Sequence, residues 1–168
     1  MVPHPTKRDV NVLDIRFLDD PELVNEESDA DYRAGGAAWN FRAGQSGRAI
    51  VRFRLPAGST GAHLGLMDRL FAACDVTAPD FAVFSTLLAL GTNLGAATLR
   101  EDTDHALLFE WTGTEEGGTC RVSLDGTHVT TLDVKNPAPN GLSYLHFIVA
   151  GDEPSPGIQV ESVAAEVR

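Results

Sequence analysis

The last third of the chain alternates apolar and polar residues over one strand length after another. The runs are His105–Trp111, Thr119–Leu124, His128–Val134, Leu142–Val149 and Ile158–Val167, each separated from the next by Gly, Asn, Asp or Pro. In an extended backbone successive side chains point to opposite faces, so a period of two describes a sheet with one face buried and one face wet. Two of the breaks are tight: Glu115–Gly118, and Asp125-Gly126 between Leu124 and Val129. A Gly in the second central position permits the positive φ of a two-residue hairpin, so Asp125-Gly126 predicts antiparallel neighbours.

The same rhythm extends upstream. Val10–Phe17 reads as a first strand. Ala49–Leu55 puts Val51, Phe53 and Leu55 on one face and Arg52 and Arg54 on the other. Ala62–Leu70 turns Leu64 and Leu66 inward, and Ala96–Arg100 reads as a short strand. Phe81–Leu90 is apolar throughout and fits a helix or a strand. Tyr32–Phe41 is rich in Gly and Ala and carries Trp39. Loops are expected at Pro56–Gly61, Asn136–Gly141 and Asp152–Gly157. About ten short strands predict an all-β fold, a two-sheet antiparallel β-sandwich.

The chain has 168 residues, enough for one domain with its own core. The expected organisation is a flexible N-terminal tail over residues 1–9 and a single sandwich over residues 10–168. The net charge is -11, with only 13 Lys and Arg against 24 Asp and Glu. Such a balance argues against nucleic acid and against an anionic membrane surface. No apolar run reaches the ~20 residues that cross a bilayer. Residues 1–9 contain no apolar stretch of signal-peptide type. The compartment therefore stays open between cytoplasmic as written and a secreted domain without its leader.

Two cysteines, Cys74 and Cys120, lack the spacing of a zinc site. Cys120 shares parity with Val122 and Leu124 and is expected to be a buried thiol; a Cys74–Cys120 disulfide is the alternative for a secreted protein. His63, His105 and His128 are scattered, and no His-x-His pair exists, so no metal is expected. The seven carboxylates of Asp19–Asp31 lack the Asp-x-Asp-x-Asp-Gly spacing of a dedicated Ca2+ loop, and Asp29-Ala-Asp31 is the nearest fragment. A solvated acidic loop is the expectation there.

From Ala106 onward the order of motifs resembles the concanavalin A-like lectin/glucanase jelly roll, of the kind found beside sialidases. The resemblance rests on Leu107-Leu-Phe-Glu-Trp111, Cys120-Arg-Val-Ser-Leu-Asp-Gly126, Val129–Val134, Gly141-Leu-Ser-Tyr-Leu-His146 and Gly157-Ile-Gln-Val-Glu-Ser-Val163. It covers about the last third of the chain closely. It implies a cupped sheet that holds carbohydrate, and by analogy a structural Ca2+. The E-x-D-x-x-E pair of the hydrolases is absent, as are the signatures of jelly-roll alginate lyases.

Parity then names candidate residues. Leu145, Phe147 and Val149 face inward; Tyr144, His146 and Ile148 face the other way. If Ala49–Leu55 belongs to the same cupped sheet, Arg52, Arg54, Tyr144 and His146 form one cluster, with Asp68 and Arg69 in a loop at its mouth and Trp39 as a stacking platform. Arg supplies a planar fork, Tyr a ring face and His a titratable nitrogen. Trp111, in phase with Leu107 and Phe109, belongs to the core. The expected function is a non-catalytic module binding a glycan or small polar ligand, as monomer or homodimer. The alternative is a small lyase, isomerase or cyclase in which Tyr144 and His146 exchange protons and an Arg anchors a carboxylate.

Overall fold

In the computed structural model, residues 1–7, 11–17, 34–70, 82–91, 93–94, 97–150 and 155–168 are described. They form thirteen strands and no helix. The strands are β1 (Val2–Pro3), β2 (Asn11–Phe17), β3 (Ala34–Gly44), β4 (Ser46–Arg54), β5 (Ala62–Met67), β6 (Phe84–Leu88), β7 (Asn93–Leu94), β8 (Ala97–Thr98), β9 (Asp104–Thr112), β10 (Thr119–Leu124), β11 (Thr127–Asp133), β12 (Leu142–Ala150) and β13 (Ser155–Val167). All pairings between strands are antiparallel. One sheet has seven strands in the order β1-β2-β13-β4-β9-β10-β11, the other has four in the order β3-β12-β5-β6, and β7 and β8 pair apart.

The core lies between the two sheets. Val51, Phe53, Leu107, Phe109 and Trp111 from the larger sheet meet Leu64, Leu66, Phe84, Leu145 and Phe147 from the smaller. Each is at most 2% exposed. Burying a side chain of this size is worth roughly 1.5–3 kcal/mol, so this layer holds the sheets face to face. All but Phe84, which lies in a run without alternation, sit at the parity that alternation assigns to the inside. The Asp125-Gly126 hairpin is present with φ of 50° and 81°, as a turn with two positive φ values requires. Asp125 does more than turn the chain. Its carboxylate accepts from Ala106 N (2.7 Å) and from His105 Nδ1–H (2.7 Å), and His105 Nε2 accepts from Arg100 N (3.3 Å). Both imidazole nitrogens are thereby committed to structure.

Of the two readings open for Phe81–Leu90, the structure has the strand, over Phe84–Leu88. Two elements differ from the expectation. The Gly/Ala-rich stretch around Trp39 is an eleven-residue edge strand paired with β12 from Gly44 to Ala34; small residues carry little β signal of their own, and the pairing is set by the partner. Residues 1–7, read as a tail, lie against the sandwich. Val2 and Pro3 pair with Val12 and Asn11, and His4 is 6% exposed.

Cys120 is a buried free thiol, and burial pushes it up to about 12. It stays protonated and unreactive. Cys74 and the acidic segment Asp19–Asp31, with its Ca2+ alternative, lie outside the described residues. Among the described residues no helix is long and apolar enough to cross a membrane.

Candidate functional site

The outer face of the four-stranded sheet is built from three cross-strand rows. Register places Asn40, Tyr144 and Met67 side by side, then Ala38, His146, Gly65 and Ser85, then Gly36, Ile148, His63 and Leu87. The chain leaving β5 and the chain entering β6 both lie on this face. Ser143 Oγ donates to Asp68 O (3.2 Å), His146 Nε2–H donates to Arg69 O (3.3 Å), and a Cβ on Gly65 would stand 3.2 Å from Ala82 Cβ. The middle of the face is accordingly closed: His146 is 4% exposed, Ile148 5% and Met67 1%. What space is left beside His63, Ser85 and His146 is a cavity of 10 Å³, room for about one water.

Burial pushes both histidines of this cavity below the ordinary imidazole range; Lys135 adds to the effect at His63, and the Arg69 carbonyl opposes it at His146. Each is neutral at pH 7. No sequence spacing links His63 to His146, because they meet across two strands.

Open chemistry remains at one end of this face. Arg69 directs Nε (2.7 Å) and Nη2 (2.9 Å) to the two oxygens of Asp68. The bond to this guanidinium holds the Asp68 carboxyl below the usual carboxylate range. The half-buried ring of Tyr144 is 6.1 Å from that of His146. The exposed Asn40 side chain donates to Ser143 O at 3.4 Å. Asp68, Arg69, Tyr144 and His146 are therefore brought together, as expected. Asn40 joins them unforeseen, since its stretch had not been read as a strand.

Arg52, Arg54 and Trp39 do not join this group. Arg52 and Arg54 lie on β4 in the seven-stranded sheet, whereas Tyr144 and His146 lie on β12 in the four-stranded sheet. The cluster was conditional on the two strands sharing one sheet, a condition that alternation does not test, and the sandwich separates them. The expected single Arg/Tyr/His cluster is thus split between opposite outer faces. Trp39 is the register partner of Leu145 and shares its inward face, stacked on Phe41 with ring centroids 5.7 Å apart; Phe41 in turn meets Trp111 at 6.0 Å. It is an edge of the core, not a platform beside Tyr144.

Arg54 is 4% exposed. Its Nη2 donates to Asp102 O (2.5 Å) and Oδ1 (3.2 Å), while its Nε and Nη1 are buried and have no partner among the described residues.

His4, Asp104 and Glu161 bring three potential metal ligands within 4.8 Å of one another. The Lys7 ammonium already bridges the two carboxylates. His4 Nδ1 accepts from Thr6 N (3.2 Å) and Lys7 N (3.1 Å), so Nε2 carries the proton and donates to Asp104 (3.3 Å). A cation would have to displace Lys7 and reverse that tautomer. The group is a fastening for the N-terminal residues.

Among the described residues, nothing covers the outer face of the seven-stranded sheet at Arg48, Ile50 and Leu108, which are exposed or half-buried. Two adjoining clefts of 290 and 270 Å³ share Arg48 and Glu166. The sequence reading began this strand at Ala49 and so missed Arg48, although its parity with Arg52 was visible.

No protein-family model matches the chain, and no curated protein matches it in sequence. Solved structures do match in shape. The galectin LEC-6 of Caenorhabditis elegans superposes with a TM-score of 0.52 at 13% identity, over 77% of this chain and 89% of that one. The carbohydrate recognition domain of Emp46p gives 0.52 at 12% identity, over 81% and 78%. A sialidase gives 0.51 at 11% identity, over 80% of this chain but only 14% of its own. The chain shares its fold, a two-sheet antiparallel jelly-roll β-sandwich, with these structures.

Proposed function

We propose that this chain is a non-catalytic saccharide-binding module, with its ligand at the Asn40–Asp68–Arg69–Tyr144 end of the four-stranded sheet. The observation that carries the reading is the convergence of four complementary groups on one rigid strand end. A sugar ring offers hydroxyls around its edge and C–H bonds on its face. Tyr144 supplies a ring to lie against that face. The Asp68 carboxylate retains lone pairs beyond those used by Arg69 and accepts from hydroxyls, while Arg69 and Asn40 donate. His146 works from below as a positioning residue, through its bond to the Arg69 carbonyl. The lectin-type fold, and the carbohydrate recognition domain among its structural neighbours, support the same reading.

The enzymatic alternative asks His146 to exchange protons with a substrate. Its Nε2 is spent on a backbone carbonyl, and the 10 Å³ beside it admits no substrate. Binding is the better use of this geometry.

The test is a broad glycan array followed by thermal shift with each positive sugar. At least one saccharide is expected to raise the melting temperature, since a ligand that binds only the folded state stabilises it. Tyr144→Ala is expected to weaken that saccharide about tenfold or more, ~1.4 kcal/mol, with the fold intact. A blank array, or a Tyr144→Ala protein that binds as the parent does, refutes the proposal.

A further inference from the structure

We infer that the outer face of the seven-stranded sheet holds a second ligand site, for a neutral two-ring polyhydroxylated compound such as a disaccharide. The ligand class is read from the cleft's own lining, so the site stands whether or not Tyr144 binds sugar.

Cross-strand register arranges this face in parallel lanes. Ala164, Ile50 and Leu108 lie side by side across β13, β4 and β9 and form an apolar floor. The next lane, in the same register, reads Glu166, Arg48, Glu110 and Arg121 across β13, β4, β9 and β10. Arg48 directs Nε (3.0 Å) and Nη2 (2.8 Å) to the same oxygen of Glu166. The second oxygen of that exposed carboxylate, and the exposed carboxylate of Glu110, are left to accept from hydroxyls. The Arg48–Glu166 bridge stands between the two clefts. The 290 Å³ cleft runs over the apolar floor, and the 270 Å³ cleft runs beside Glu110 and Thr112.

Three features select the ligand. The charged side chains that line the clefts, Arg48, Glu110, Glu166 and Arg168, balance in sign, so the site favours neither an anion nor a cation. Acceptors and a donor line one side of an apolar floor, which suits a ring with a C–H face and a hydroxyl edge. Each cleft is close to the lower end of small-molecule sites, roughly 300 Å³, so two of them joined under one ion pair suit two linked rings.

The experiment titrates the full chain, labelled in Ile, Leu and Ala methyls, with cellobiose, lactose and maltose separately to about 50 mM, a range that reads millimolar affinity. At least one sugar is expected to shift the Ile50, Leu108 and Ala164 methyls saturably. Arg48→Ala and Glu110→Gln, both at exposed positions, are expected to weaken that response about fivefold or more, and Tyr144→Ala is expected to leave it unchanged. Shifts confined to the Ala38 and Ile148 methyls on the face that carries Tyr144 overturn this site and leave the first reading standing. Groove shifts that persist in Tyr144→Ala support this site, and the first reading keeps its own test. Methyls that stay still with all three sugars, or that respond equally in Arg48→Ala, overturn the inference.

Discussion

The two outer faces of this sandwich are written in the same alternating code and end in opposite states. On β12 the outward residues His146 and Ile148 are buried, while on β4 the outward Arg48 and Arg52 are exposed. The strands themselves do not make the difference. After β5 the chain continues onto the outside of its own sheet, with Asp68 and Arg69 fastened to Ser143 and His146, and it returns at Ala82 over Gly65. No such segment crosses Arg48, Ile50 and Leu108 among the described residues. Parity assigns a side chain to a face; whether that face is wet depends on where the connections run.

The largest expected effect falls on the layer both faces share. Trp111 packs against Phe41, donates from Nε1 to Gly44 O (3.2 Å) and is 1% exposed. Trp111→Ala is expected to cost about 3–5 kcal/mol in urea unfolding. Methyl signals from the open face and Tyr144 signals from the covered face should be lost in one transition. Separate transitions would mean that the two sheets are not one cooperative unit.

The next effect separates the faces. Gly65 faces Ala82 on the covered side, and Ala164 faces solvent on the open side. Gly65→Leu must push the Ala82 segment off the sheet and is expected to cost about 1–3 kcal/mol. Ala164→Leu is expected to stay within about 0.5 kcal/mol. Equal costs in urea titrations would remove the distinction between a closed and an open face.

The pH dependence sharpens the same contrast. His146 and His63 have folded pKa values pushed below 6.5 by burial, so the unfolded chain takes up protons first as pH falls. Stability is then fully present above about 6.5 and declines below it, down to the depressed folded values. Two carboxylates lose their contribution only further down, below their ordinary 3.8: Asp68, held low by its bond to Arg69, and Asp104, where burial pushes up but Lys7, His4 and Arg54 together pull the carboxyl down. Melting temperatures between pH 7.5 and 5 should fall for the parent and fall less for a His63→Phe/His146→Phe protein. Parallel curves would place the loss elsewhere.

Much of the fold was legible, for a definite reason. Phe53, Phe109, Leu145 and Phe147 alternate with polar neighbours because one face of each strand must leave water, and burial follows that parity. The Asp125-Gly126 turn was legible because few dipeptides tolerate two positive φ values. The strand through Trp39 was not, since Gly and Ala carry no alternation. The candidate site was legible in part. Parity puts Tyr144 and His146 on an outer face, and the structure has them there with Asp68 and Arg69 beside them. Sheet membership is a long-range property that local periodicity does not encode, so Arg52 and Arg54 were joined to a face they do not share.

Arg54 provides the smallest effect and the most informative sign. It has the parity of Arg48 and Arg52, yet it is buried, because the N-terminal residues cross the sheet at its row. Its register partner Asp104 receives both His4 and Lys7. The guanidinium keeps one nitrogen on Asp102, whose own side chain is 57% exposed, and among the described residues Nε and Nη1 find no partner. A buried cation so incompletely paired loses in desolvation much of what it gains by attraction, and an apolar residue of similar length avoids that loss. Arg54→Met is therefore expected to leave urea stability within about 1 kcal/mol of the parent, with a gain as the favoured sign. A loss of about 3 kcal/mol or more, the cost of breaking a buried pair that does hold, would show that Arg54 secures the N-terminal residues. The dry end of this sheet would then depend on charge, and the covered face of the other sheet on packing.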